Sequence, residues 1–225
     1  MGNLPNPVAL IAVIAALGIA PFAALMVTSY TKLVVVLGLL RSALGVQQVP
    51  PNLVLNGIAL ILSLFIMAPV GMSIRDALQA RHFDASGQLS TADVGALADA
   101  ALPPIKDFLV SHTRQRDREF FVRTATSVWP KNRADGIKDD DLLVLVPSFT
   151  LAELTKAFQI GFVIYIVFIV VDLLVANILL ALGMQMISPT TISVPFKLLL
   201  LFVALDGWSL LVHGLVLSYR VAGAG

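Results

Sequence analysis

Three long apolar runs leave this chain very few architectures. Val8–Val27, Leu53–Ile74 and Phe158–Leu182 each hold 20 residues or more. About 20 apolar residues cross the hydrocarbon core of a bilayer as a helix. A fourth run, Phe196–Val216, is long enough but contains Lys197, Asp206 and His213. Such a chain belongs in a membrane. Composition agrees: 58% of the 225 residues are hydrophobic and only 13% are charged, against roughly 25% charged in a soluble domain. The formal net charge of +1 argues against a nucleic-acid partner, which asks for a strong basic excess. With no cysteine, disulfides, thiolate metal sites and a thiol nucleophile are excluded together. MGNLPNPV, before the first run, has no Lys or Arg, and the run itself exceeds the roughly 7–15 apolar residues of a secretory signal. It reads as a retained membrane segment.

The runs divide the chain into three parts. Residues 1–74 are N-terminal apolar helices. Between the first two runs lies LVVVLGLL, Leu33–Leu40, bounded by Lys32 and Arg41. Eight helical residues rise only about 12 Å, so this piece extends the first helix or belongs to a re-entrant hairpin. Gly38, Ser42 and Gly45 put small residues on one helical face, where backbones approach closely. Pro50-Pro51 ends this segment and suits the start of the next helix, which Pro69 is expected to kink near its end. Residues 75–147 form a polar, water-facing helical region. The stretch 75–157 holds 11 of the 15 Lys/Arg and 12 of the 14 Asp/Glu. HTRQRDREFFVR (His112–Arg123) is basic and helical in pattern. Asp135, Asp139, Asp140 and Asp141 form an acidic counterpart, able to pair with it in the chain or across copies. Residues 148–225 are an apolar helical hairpin, opened by a capping-box spacing at Thr150–Glu153.

No catalytic signature is present: no HExxH, GxSxG or GxxxxGK[ST]. His82, His112 and His213 are scattered, without metal-ligand spacing. The chain reads as a non-enzyme with no metal and no cofactor. The charges inside apolar runs are the sharper signal, since each costs about 2.5–3.5 kcal/mol at mid-helix on insertion scales. Lys32, Arg41, Asp172, Lys197 and Asp206 are candidate structural or interface charges. Lys197 and Asp206, nine apart, lie on opposite faces of a straight helix, while Asp206 and His213 share one. With a helix starting near Pro195, Asp172 and Asp206 reach similar depth. That leaves two other readings: a secondary transporter or ion channel using Asp172, Lys197 and Asp206, or an aspartyl protease using Asp172 and Asp206.

Between the last two runs lies LGMQMISPTTISVPFK, Leu182–Lys197. Gly183 and Ser188-Pro189 oppose helix around Met184, Gln185 and Met186. Non-helical backbone at membrane depth is tolerated only against protein or a water-filled path. Methionine adapts to irregular or changing partners.

Two blocks of this sequence resemble a known family. They are MVTSYTKLVVVLGLLRSALGVQQVPPNLVLNGIALILSLFIMAPVG (Met26–Gly71), and VPSFTLAELTKAFQIGF followed by VVDLLVANILLALGMQMISPTTISVPFKLLL and DGWSLL. They are similar to the export-apparatus proteins of type III secretion, called SctR in injectisomes and FliP in flagella. The ending HGLVLSYR resembles the injectisome branch. The resemblance implies an all-α fold of membrane-associated helical hairpins that assemble into an oligomeric helical cone, a pentamer. It implies S and T companion proteins, with U and V nearby, membrane lipid around the assembly, much of the chain, residues 75–147 included, at periplasmic level, and unfolded secreted proteins in transit across the bacterial inner membrane. It also implies that Met184, Gln185 and Met186 form the pore constriction, with Gln185 interrupting what is a continuous methionine run in many relatives. Pro189 and Pro195 are then expected to hold a non-helical turn.

Overall fold

The computed structural model describes residues 7–46, 49–80, 91–204 and 206–220. His82 and the Gln47-Gln48 pair lie outside these residues. The described residues form helices α1 (Pro7–Met26), α2 (Tyr30–Leu44), α3 (Asn52–Ala80), α4 (Thr91–His112), α5 (Gln115–Val128), α6 (Lys131–Ala134), α7 (Leu142–Ala181), α8 (Pro189–Leu199) and α9 (Gly207–Leu217). A π-helical segment, Leu200–Ala204, follows α8.

α2 is the axis of the fold. The chain breaks after α1 at Val27–Ser29, so Leu33–Leu40 does not extend the first helix. It lies in a separate helix of 15 residues. Lys32, Leu33, Val36, Leu37, Leu40, Ala43 and Leu44 of α2 are all buried, following the helical period. They pack on α7 and α3. One core joins Leu33, Val36 and Leu37 to Leu55, Ala59, Ala157 and Leu215. A second joins Leu40, Ala43 and Leu44 to Phe168 and Leu201. A third sets Phe108 and Leu109 of α4 against Leu145, Phe149 and Tyr219.

α7 has 40 residues, about 60 Å at 1.5 Å each, twice the thickness of a bilayer core. α3 and α7 are each long and apolar enough to cross a membrane, and α8 with α9 form a further candidate span bent by 62°. Much of their surface stays open: Leu53 is 83% exposed, and Phe158, Phe162 and Leu173 lie outside any core. Apolar surface on this scale calls for lipid or protein neighbours.

Several expectations are corrected. The capping box at Thr150–Glu153 does not form, because α7 starts eight residues earlier, at Leu142. Thr150 Oγ1 donates instead to the Val146 carbonyl at 2.9 Å. Pro69 is not near a helix end, since α3 continues to Ala80. The basic stretch is not one helix: α4 ends at His112 and α5 starts at Gln115. Pro195 lies inside α8, and only Pro189, at that helix's first turn, borders the turn. The last apolar run is broken rather than continuous, with the π-helical segment and Asp206 between α8 and α9.

The small-residue face of α2 is not where helices meet closely within the chain. A Cβ at Gly38 would meet nothing within 4 Å, while one at Gly161 of α7 would stand 2.3 Å from Leu39 Cδ1. Gly45 serves another purpose: it caps α2 in the left-handed region at φ 77°, where glycine has no Cβ penalty. Pro50-Pro51 does open the next helix, and the Pro51 carbonyl accepts the Val54 and Leu55 N–H groups.

Candidate functional site: a methionine loop and the charges behind it

The loop at the tip of the C-terminal hairpin is built by its backbone. α7 stops in a Schellman motif. The Gly183 N–H donates to the Leu180 carbonyl at 3.0 Å, and the Met184 N–H reaches back to Leu179 at 2.9 Å. This closure needs Gly183 at φ 72°, which a glycine adopts freely. Ser188 then takes extended backbone, and Pro189 opens α8 where its missing N–H costs nothing. Between these two stops stand Met184, 42% exposed, an exposed Gln185, and Met186, 98% exposed. The thioether of Met186 therefore contributes almost nothing to packing within the chain.

Behind the loop the hairpin is held by one ion pair. Lys197 Nζ lies 2.7 Å from Asp172 Oδ2. It also donates to the Ala43 carbonyl at 3.0 Å, so one ammonium ties α8 to α7 and to the end of α2. Ser193 Oγ donates to the other Asp172 oxygen at 2.5 Å. Asp172 and Lys197 stand equally far along the chain from the loop centre, so an antiparallel hairpin places them opposite each other. Two separately noted charges thus become partners. Asp206 does not join them. It is exposed at the break before α9, in the left-handed region at φ 45°. Arg41 acts locally. Its Nη1 donates to Asn52 Oδ1 at 2.6 Å and to the Pro50 carbonyl at 3.2 Å, fixing the α2–α3 connection.

Lys32 leads to a second charge cluster. Its ammonium lies 3.1 Å from Glu153 Oε2, with both side chains fully buried, and 3.4 Å from the centre of the Tyr219 ring. Lys156 Nζ donates to the other Glu153 oxygen at 2.8 Å and to the His112 carbonyl at 2.9 Å. The Tyr219 hydroxyl donates to Glu153. Burial, and then the charge of Glu153, push the Tyr219 phenol up from its ordinary value, which keeps it a donor. Ser29 Oγ donates to Ser63 Oγ at 3.0 Å beside this cluster. α2, α3, α4, α7 and the end of α9 therefore meet around one carboxylate. Sequence reasoning named Lys32 but missed Glu153, Lys156 and Tyr219. The available signal was the need of a buried Lys32 for a carboxylate, obscured because Glu153 fitted a capping motif.

Among the described residues, no group of three or more His, Cys, Asp or Glu is placed to hold a metal. What the arrangement can do is mechanical. Two buried charge clusters lock the helices, and a well-defined turn projects apolar, flexible side chains outward.

Fold and site together define an all-α membrane protein whose exposed apolar helices await neighbours. The FliP family model matches residues 13–215, nearly the whole chain, and the chain belongs to that family. It is 59% identical over 211 residues to the "Pathogenicity-related ORF2" of Xanthomonas campestris pv. glycines, covering 94% of this chain and 96% of that protein. The "Hypersensitivity response secretion protein HrcR" of Ralstonia nicotianae is 56% identical over 213 residues, with coverage of 94% and 96%. The "Yop proteins translocation protein R" of Yersinia pestis is 50% identical over 219 residues, with coverage of 97% and 99%. These relatives place the chain on the injectisome side of the family.

Proposed function

We propose that this chain is a structural subunit of the type III secretion export apparatus. With further copies of itself it forms the entry channel through which unfolded proteins cross the bacterial inner membrane. Membership of the FliP family and the likeness to HrcR and translocation protein R support this reading. The observation that carries the pore assignment is the pairing of a rigid turn with nearly free side chains. Gly183 and Pro189 fix the backbone, while Met186 touches almost nothing of its own chain. Repeated around a ring of five, Met184, Gln185 and Met186 form a deformable collar. An apolar constriction of this kind excludes water and ions by dewetting.

Lys32, Arg41, Asp172 and Lys197 act structurally in this reading, as do the helix contacts around them. Asp206, exposed at the break before α9, serves the left-handed backbone there. The ring takes the S and T proteins as companions, and the U and V proteins adjoin it. The chain itself performs no chemistry. Part of each copy stands at periplasmic level, a reading supported by an α7 of 40 residues, longer than a bilayer core is thick.

The test is purification in mild detergent, with the mass of the intact complex measured beside secretion in cells. The expected result is a defined oligomer of this chain carrying two small hydrophobic companions. Its loss should abolish secretion. A monomer of 24.0 kDa, isolated with all companions expressed, would overturn the assignment.

A further inference from the structure

α5 presents a basic crest to solvent on the face opposite its buried Ala125. Arg116, Phe120 and Arg123 recur at i, i+4 and i+7, so they line one side of the helix. All three are exposed, with Phe120 53% open. Its ring is steadied by an edge contact with Phe121, 5.2 Å between centroids. From Arg114 to Arg133 the chain holds six basic residues and only two acidic ones.

Three of the four carboxylates in the acidic segment that follows are already engaged. Asp139 pairs with Arg118 at 3.3 Å and Asp140 with Lys106 at 3.6 Å. Asp141 accepts the Lys138 N–H at 2.8 Å. Among the described residues, Arg114, Arg116, Lys131 and Arg133 have no ion pair. Arg123 is 4.0 Å from Glu119, with both side chains exposed, a geometry that contributes little. The crest is thus an unbalanced positive surface around an aromatic residue.

Position decides between the polyanions that could cover it. α5 is joined to α7 where Ser148 Oγ donates to the Asp117 carbonyl at 3.3 Å. The longest charge-free stretch of α7, residues 157–171, opens after Lys156, nine residues beyond Ser148, or about 13 Å along the helix. A headgroup layer is only about 5–7 Å deep on each side, so a crest at the level of Ser148 favours a protein neighbour over lipid phosphates. A second copy would bring the same basic face, in which six basic residues stand against two acidic ones. We propose that the Arg116–Phe120–Arg123 crest docks a different protein, one that presents carboxylates around a small apolar hollow. Arginine and aromatic anchors of this kind carry most of the energy at protein interfaces. The proposal goes beyond the channel assignment and does not depend on it.

The test places a photo-crosslinking amino acid at position 120, in cells that assemble the complete secretion apparatus. The expected result is an adduct with another protein, mapped by mass spectrometry to a segment holding at least two acidic residues. The double variant Arg116→Glu/Arg123→Glu should reduce the adduct roughly tenfold or more, the effect of removing a hot spot. Changing the acidic residues of the mapped segment to lysine should restore it. Should the double variant fail to assemble, the unaltered protein still decides the matter: raising salt from about 0.05 to about 0.5 M in membranes should weaken the adduct by screening. An adduct only to lipid, only to a second copy of this chain, or to nothing would overturn the proposal. So would an adduct indifferent both to charge reversal and to salt.

Discussion

Lys32 and Glu153 form an ion pair at 3.1 Å with no solvent on either side chain. They come from α2 and α7, the two helices that pack most extensively on each other. Breaking a buried pair strands a charge and costs about 3–5 kcal/mol. The two partners are not equivalent, however. Lys32→Met leaves Glu153 with Lys156 and the Tyr219 hydroxyl, whereas Glu153→Gln leaves two ammonium groups around a neutral amide. Glu153→Gln is therefore expected to lower the thermal midpoint of the detergent-extracted protein more than Lys32→Met. Equal losses would mean that Lys156 shares none of the burden.

The pair between Lys197 and Asp172 should behave differently, because Asp172 keeps 30% of its side chain in contact with solvent. Asp172→Asn retains an acceptor for Ser193 and relaxes toward water. Lys197→Met leaves the Ala43 carbonyl without its extra donor but adds apolar bulk in a buried site. Both variants should assemble less well and secrete less. The loss is expected in complex yield before it appears in transport per complex. Normal yield with abolished secretion would move these residues from structure to transport, as the transporter reading requires.

Asp206 sits at φ 45° and ψ 39° without a side-chain capping bond. The sequence made it a candidate structural or interface charge. The structure sets backbone against charge as the reason for aspartate here. Asn and Gly tolerate the left-handed region, while a β-branched residue does not. Asp206→Asn and Asp206→Gly should therefore yield as much complex as the parent, and Asp206→Val should cost roughly 1–2 kcal/mol. A loss of complex with Asn as severe as with Val would restore the interface charge.

Among the described glycines, Gly161 makes the closest approach to another helix. A Cβ there would stand 2.3 Å from Leu39 Cδ1 and 3.1 Å from Leu39 Cβ. Gly161→Ala forces α2 and α7 apart or drives Leu39 off its rotamer, at about 1–3 kcal/mol. Leu39→Ala in the same chain should recover most of that loss, which a double-mutant cycle on thermal stability measures. Strict additivity would place the strain elsewhere.

How legible this was depends on the kind of signal. The apolar runs placed α1, α3 and most of α7, because length and apolarity alone define such helices. Gly183 and Ser188-Pro189 correctly marked a turn, because their backbone preferences are local. The partners of the charges were not legible. Thr150–Glu153 has the spacing of a cap, yet Glu153 answers Lys32, 121 positions away in the sequence, and spacing carries no information over that distance. Gly38 and Ser42 looked like the contact face, but the close approach fell at Gly161, since α2 turns its large residues toward α7. The break at Asp206 was hidden for a similar reason. Hydropathy cannot separate one straight helix from two joined by a π-helical turn.

The methionine loop gives the most direct test of the channel reading. Met186 is 98% exposed and Met184 42% exposed, so shortening both to Ala removes little packing within one chain. A large stability loss is not expected, in contrast to Met67, which packs against the core of Phe108, Leu145 and Phe149. Met67→Ala is thus the control for destabilisation by lost core packing. If the two thioethers close a collar around the ring, the double Ala variant widens and hydrates it, and resting cells should admit small solutes. Met184→Leu/Met186→Leu keeps the apolar bulk with less freedom, and should leak less than the Ala pair. Protein secretion is expected to persist in both, because a wider collar still passes an extended chain. The measurement is solute influx normalised to the yield of assembled complex. A double Ala variant that assembles normally and stays as tight as the parent would remove Met184 and Met186 from the constriction.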